Sequence, residues 1–90
     1  MVSAFDRLGK PVRAGDHVRV LAIPPDVFRG LDAASTERVR SMVGAVVPVV
    51  EIDHLGGICV EKWWHLSATR SQSHGLTLAS SEAELVATGV

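Results

Sequence analysis

The sequence predicts a mainly β domain: a small, strongly bent antiparallel barrel with a helical insertion between its first two strands. Three observations lead there. Short runs of β-branched and aliphatic residues, "HVRVLAI", "AVVPVVEI", "ICVEKWWHL" and "LTLAS", are divided by glycine and proline turn signals. One connection, "DVFRGLDAASTERVRSMVG", is long and carries helix-capping aspartates. A tight turn near Ser80 and Ser81 precedes a short final strand, "ELV".

The first strand follows the turn signal Gly15-Asp16 and ends at Pro24-Pro25, because proline brings no ladder donor. Val18, Val20 and Ala22 share its core face; His17, Arg19, Leu21 and Ile23 share the other. In the insertion, Asp26 is expected to cap a short helical turn bearing Val27, Phe28 and Leu31. Asp32 is expected to cap a second helix over about residues 33–42, with Val39, Met42 and Val43 as its apolar stripe. Glu37, Arg38 and Arg40 face water in this reading, and Gly44 ends the helix. An irregular loop with a single helical turn remains the alternative.

The next two runs flank "DHLGG", a connection with two glycines, and read as a hairpin. Val46, Val50 and Ile52 fall on one face of its first strand, and Val47, Val49 and Glu51 on the other. Pro48 marks that stretch as an edge or a bulge, and an open edge there would allow the chain to pair with itself as a homodimer. In the second strand Ile58, Val60, Trp64 and Leu66 share the apolar face, interrupted by Lys62. Cys59, Glu61, Trp63 and His65 share the opposite face. The two tryptophans therefore point in opposite directions, Trp64 inward and Trp63 outward. "SATRSQSHG" has no periodicity and reads as a flexible tip. After "LTLAS", a terminal strand to about Val86 is preferred over a Ser-capped helix, since so short a helix gains little. No internal repeat is expected.

Ninety residues make one domain, with an ordered core over about 8–87. An apolar fraction of 47% is too high for a disordered chain. The single cysteine, Cys59, excludes an intrachain disulfide framework and points to a reducing compartment. No signal peptide or membrane-spanning run is visible, so a cytoplasmic protein without membrane contact is expected. Net charge is −1, with residues 1–20 at +2 and residues 51–90 at −3. Neither end carries a block of like charge, which disfavours non-specific binding to phosphate backbones.

Little in the sequence points to catalysis. The only soft ligands are His17, His54, His65, His74 and Cys59, without C-x-x-C or H-x-x-H spacing. Cys59 and His65 would lie about 20 Å apart along a strand, too far to hold one ion. Cys59 sits near Glu61, whereas a reactive thiolate needs an electropositive setting. No phosphate loop or dinucleotide fingerprint is present. Hence no metal, no cofactor and no enzymatic activity are expected.

"VRAGDHVRVLAIP" looks like the opening strand of SH3-like barrels, and "VGAVVPVVEID" with "GGICVE" resembles their central hairpin. "HGLTLASSEAELV" is similar to their closing segment, in which a strand enters a tight helical turn and then a final strand. The nearest resemblances are to the barrel of the nitrile hydratase beta subunit and to the variable chain of ferredoxin–thioredoxin reductase. KOW-type ribosomal and transcription modules are more distant and lack the long insertion. The resemblance spans roughly residues 8–87. It implies an accessory or interaction unit, since such barrels bind extended segments on aromatic surfaces or along an open edge. The expected protein- or peptide-binding residues are Trp63, Glu61, His65, Phe28 and Arg29. Two readings of Trp63 stay open: exposed on that face, or covered by the insertion with Phe28 and Leu31 against it. The alternative partner is RNA or the ribosome, met by Arg7, Lys10, Arg13 and Arg19.

Overall fold

The computed structural model describes residues 3–89, the side chains of His65 and Leu66 excepted. The chain is mainly β, with 44% strand against 18% helix. It opens with a ribbon of β1 (Ala4–Phe5) and β2 (Pro11–Val12). Five further strands form one antiparallel sheet: β3 (His17–Val20), β4 (Val46–Ile52), β5 (Ile58–Ser67), β6 (Arg70–Leu78) and β7 (Ala83–Ala87). Their spatial order is β6-β5-β4-β3-β7. No closed barrel is found, because β6 and β7 end the sheet without pairing to each other. The helix α1 (Ala33–Arg40) lies between β3 and β4, and not between the first two strands as expected. The physical reason is the β1–β2 ribbon, whose strands are too short to show any alternation in sequence.

The core is one face of this sheet. Val18, Val20, Val47, Val49, Ile58, Val60, Leu76 and Leu78 are all buried on it, each contributing about 1.5–3 kcal/mol where fully withdrawn from water. Val39 and Met42 of the insertion close over them. Val18 and Val20 occupy the core as expected, but β3 stops before Ala22, which is exposed.

α1 forms where its cap predicts. The Asp32 carboxylate accepts from the Ser35 amide at 2.7 Å, and the Asp32 carbonyl accepts from Thr36. The helix ends at Arg40, so Val43 departs from the helical spacing and is exposed. Gly44, at φ +85°, then donates its amide to the Val20 carbonyl and returns the chain to the sheet. Arg38 is turned away from full solvent exposure and donates to the Gln72 side chain on β6. The preceding 3₁₀ turn, Pro25–Phe28, starts at proline. Asp26 therefore lies inside the turn and pairs with Arg29 at 3.4 Å where a cap was expected.

Two strands depart from expectation. β4 is internal, paired to β3 at Pro48 and to β5 from Val49 onward. The irregularity that Pro48 suggested falls just beyond it, between Val49 and Glu51. That bulge inverts the alternation, so Val50 and Glu51 are exposed while Ile52 packs against the core. "SATRSQSHG" is not a loop. β5 and β6 form a long hairpin around a turn at Ala68 and Thr69, with Lys62 opposite His74 and Trp64 opposite Gln72. As expected, β7 follows a 3₁₀ turn, Ser80–Glu82.

Candidate functional site

Trp63 is 58% exposed, and its neighbour Trp64 packs at the rim of the core. The alternation of β5 separates the two rings onto opposite faces. On the inner face, Trp64 meets His74 edge-on, with centroids 5.5 Å apart and planes at 78°. The Lys62 Nζ lies 5.3 Å from the Trp64 ring centroid. Gln72 bridges this group to Arg38, which fixes the insertion against the inner face of the hairpin.

Phe28 packs against that inner core, with the Arg40 guanidinium 6.0 Å from its ring. Phe28 and Trp63 are therefore on opposite sides of the sheet. The insertion leaves Trp63 uncovered, which decides between the two readings of that residue. Arg29 is exposed beside Asp26 and stays with Phe28 on the insertion. The expected set divides accordingly: Trp63 and Glu61 share the outer face, Phe28 and Arg29 do not join them, and the His65 side chain lies outside the described residues.

The outer face supplies other neighbours for Trp63. Ser73 stands opposite it in register and Gly75 opposite Glu61, so small residues flank the indole. On β4 the outward residues are Val46, Pro48 and Val50, all exposed. In register with them on β3 are Arg19, opposite Val46, and His17, opposite Pro48. Glu84 of β7 pairs with Arg19 at 2.8 Å. The outer face thus carries exposed Trp63 on β5 and exposed Val46, Pro48 and Val50 on β4, together with Glu61, Arg19, Glu84 and His17. Aromatic anchors inside a polar rim are the composition of protein-binding surfaces. The outward valines were visible in "AVVPVV", whose alternate residues cannot all enter one core.

Two of the four basic residues share one acidic partner. Glu84 takes Arg19 and lies 3.6 Å from Arg7. Lys10 sits beside Asp6, and Arg13 beside Asp16. Glu84 thus offsets the charge of Arg7 and Arg19, which lowers the positive potential at those two positions.

Asp6 and Asp16, which the sequence offered only as charges, are nearly inaccessible, at 2% and 6% exposure. Asp6 Oδ1 accepts from the Leu8 and Lys10 amides at 2.9 and 2.8 Å, while Oδ2 accepts from Leu85 of β7 at 2.8 Å. Burial pushes its carboxyl up, but the amides of Leu85, Lys10 and Leu8 outweigh that and hold it below the ordinary value. Asp16 Oδ1 accepts from Gly89 at 2.7 Å and Oδ2 from Arg13 at 2.8 Å. These amides hold its carboxyl down against burial. Both oxygens of each carboxylate are held by backbone amides, which ties the two side chains into the architecture.

Cys59 is partly buried on the outer face, its Sγ 3.6 Å from Thr77 Oγ1. Glu51 stands opposite it in register. Among the described residues no three His, Cys, Asp or Glu side chains are placed to hold a metal ion. No described helix is long and apolar enough to cross a membrane. A groove of about 920 Å³ lies between the β1–β2 ribbon and the β4–β5 turn, lined by Phe5, Val12, Arg13, Ile52 and His54 among others. It holds residues of both charge signs and no catalytic grouping. Comparisons with protein-family models, with curated proteins and with solved structures give no match for this chain.

Proposed function

We propose that the chain is an SH3-like interaction module or accessory subunit, without catalysis of its own, that receives another protein or peptide on the outer face of its sheet. The observation that carries this is the exposed Trp63 on the same outer face of the sheet as the exposed Val46, Pro48 and Val50. An indole on a strand, backed by small residues and rimmed by charge, gives contact area at low entropic cost. The SH3-like reading is supported by the β4–β5 hairpin and by the 3₁₀ turn that leads into β7.

The test is affinity capture from the native cell with wild-type protein, Trp63→Ala and Trp64→Ala. Trp63→Ala should leave the melting temperature unchanged and lose the captured partner. Trp64→Ala should cost about 3 kcal/mol of stability. Equal destabilisation by both, or undiminished capture by Trp63→Ala, would refute the assignment. RNA binding with a steep salt slope that disappears on replacing Arg7, Lys10, Arg13 and Arg19 would instead favour a ribosome-associated protein.

A further inference from the structure

The two ends of the sheet are finished differently. At β7 the outward backbone groups are used: the Leu85 amide donates to Asp6, and the Ala83 carbonyl accepts from the Arg7 amide at 2.9 Å. At β6 no backbone group of Arg70–Leu78 bonds to any described residue outside β5. Val49 directs its amide and carbonyl toward Asp16 and Gly15, on the β3 side. Its register partner Val60 therefore directs its own toward β6, and the ladder's alternation fixes the rest. The outward groups on β6 belong to Ser71, Ser73, Gly75 and Thr77, all small residues that let a second backbone approach.

Edge strands are ordinarily protected by shortness, proline, charge or a covering element. β6 has nine residues, no proline and no acidic side chain, and its one permanent charge is Arg70 at the tip. An edge with these properties presents no repulsion to a copy of itself. Among the described residues β6 is the end strand of the five-stranded sheet whose outward side is left unbonded, since Asp6 and Arg7 meet β7. Pairing between like edges must then close after two copies and cannot extend into a fibre.

We propose that β6 of one chain pairs antiparallel with β6 of a second copy about a two-fold axis, joining two five-stranded sheets into one. This deepens the interaction-module reading, because it assigns the sheet edge to self-recognition and leaves the Trp63 face for another partner. One strand pair lies below the ~1,200 Å² of stable interfaces, so the dimer is weak and reversible.

Sedimentation velocity between about 10 µM and 1 mM, the range suited to a small interface, tests the pairing. The weight-average mass should rise from the 9.6 kDa of one chain toward about twice that as pairing becomes complete. Ser73→Pro removes an outward amide without touching the β5–β6 ladder and should hold the mass at one chain. The double variant Ser71→Lys/Thr77→Lys alters only exposed positions, sets like charges opposite each other across the axis, and should do the same. The amides of Ser71, Ser73, Gly75 and Thr77 should gain exchange protection with concentration. Trp63→Ala should still dimerise, which keeps this result separate from partner capture. A constant single-chain mass, or a dimer unaffected by both β6 variants, overturns the proposal. A dimer lost in Trp63→Ala but kept in the β6 variants also overturns it and makes the outer face the self-contact. A monomer whose β6 amides become protected only with a foreign partner overturns it in favour of a heterologous strand.

Discussion

Two loops of this molecule share one local design and differ in what they hold. "DRLGK" at 6–10 and "DHLGG" at 53–57 have the same bonds in the same places. In each the aspartate Oδ1 accepts from the amides two and four residues on: Leu8 and Lys10 in one, Leu55 and Gly57 in the other. The aspartate carbonyl accepts from the glycine, and the aspartate amide donates to the fifth carbonyl, in both. Gly9 and Gly56 sit at φ +82° and +83°, where only glycine is unstrained. The difference is the second carboxylate oxygen. Asp6 Oδ2 reaches across to Leu85 and seals the β7 edge, whereas no described donor meets Asp53 Oδ2. A motif that closes a turn at one site thus becomes a tertiary clamp at the other because of where the turn is placed.

The comparison can be broken most sharply at Asp6. Asp6→Ala leaves three amides without their acceptor and should lower stability by about 3 kcal/mol in urea denaturation. A loss no greater than that of Asp53→Ala would mean that the Leu85 bond contributes nothing. The acid limb of the stability curve comes next. The folded carboxyl of Asp6 lies below its ordinary 3.8, so its stabilisation is complete above that value and is lost as pH falls through the folded value. The stability difference between wild type and Asp6→Asn should therefore shrink as pH falls from about 5 to about 2; a difference independent of pH would remove the charge from the account. At neutral pH, Asp6→Asn keeps Oδ1 but presents an amide to the Leu85 N–H, and should cost about 1–2 kcal/mol. Gly9→Ala and Gly56→Ala should each cost about 1 kcal/mol, and equally, because that strain is local. Unequal values would show that the two turns are not equivalent. Smallest of all, Asp53→Asn should lower the midpoint of thermal unfolding by less than Asp6→Asn does, because Oδ1 alone serves both amides there and no amide is left facing an NH2 group.

What the sequence made legible follows from the kind of signal each element leaves. α1 and its Asp32 cap were readable because an aspartate three residues before an acceptor-poor serine amide is a local arrangement. The opposite facing of Trp63 and Trp64 needed only the period of a strand. Only the inner end of β6, Leu76–Leu78 within "LTLAS", was legible; its outer half, Arg70–His74, reaches past the core and shows no apolar alternation on either side. The β1–β2 ribbon was missed because strands of two residues carry no pattern. Closure failed as an expectation because the partner of β7's free edge is a loop carboxylate, which no strand-counting argument can supply. Parity placed Trp63 and Glu61 on one face, and the structure has them there. The grouping with Phe28 failed because the side of the sheet chosen by an insertion is a tertiary property. The repeated D-x-L-G turn was present in the letters, and only its second copy was recognised as a turn.

Asp16 holds Gly89, so the described C-terminal end of the chain stays beside β3 and β7, whereas Ser3 lines the groove by the β4–β5 turn. A tag, dye or tether attached through the C-terminal end starts on the β7 side of the sheet, the opposite flank from β6. Immobilised by its tail, the protein would display Trp63 and the unsealed strand to whatever flows past.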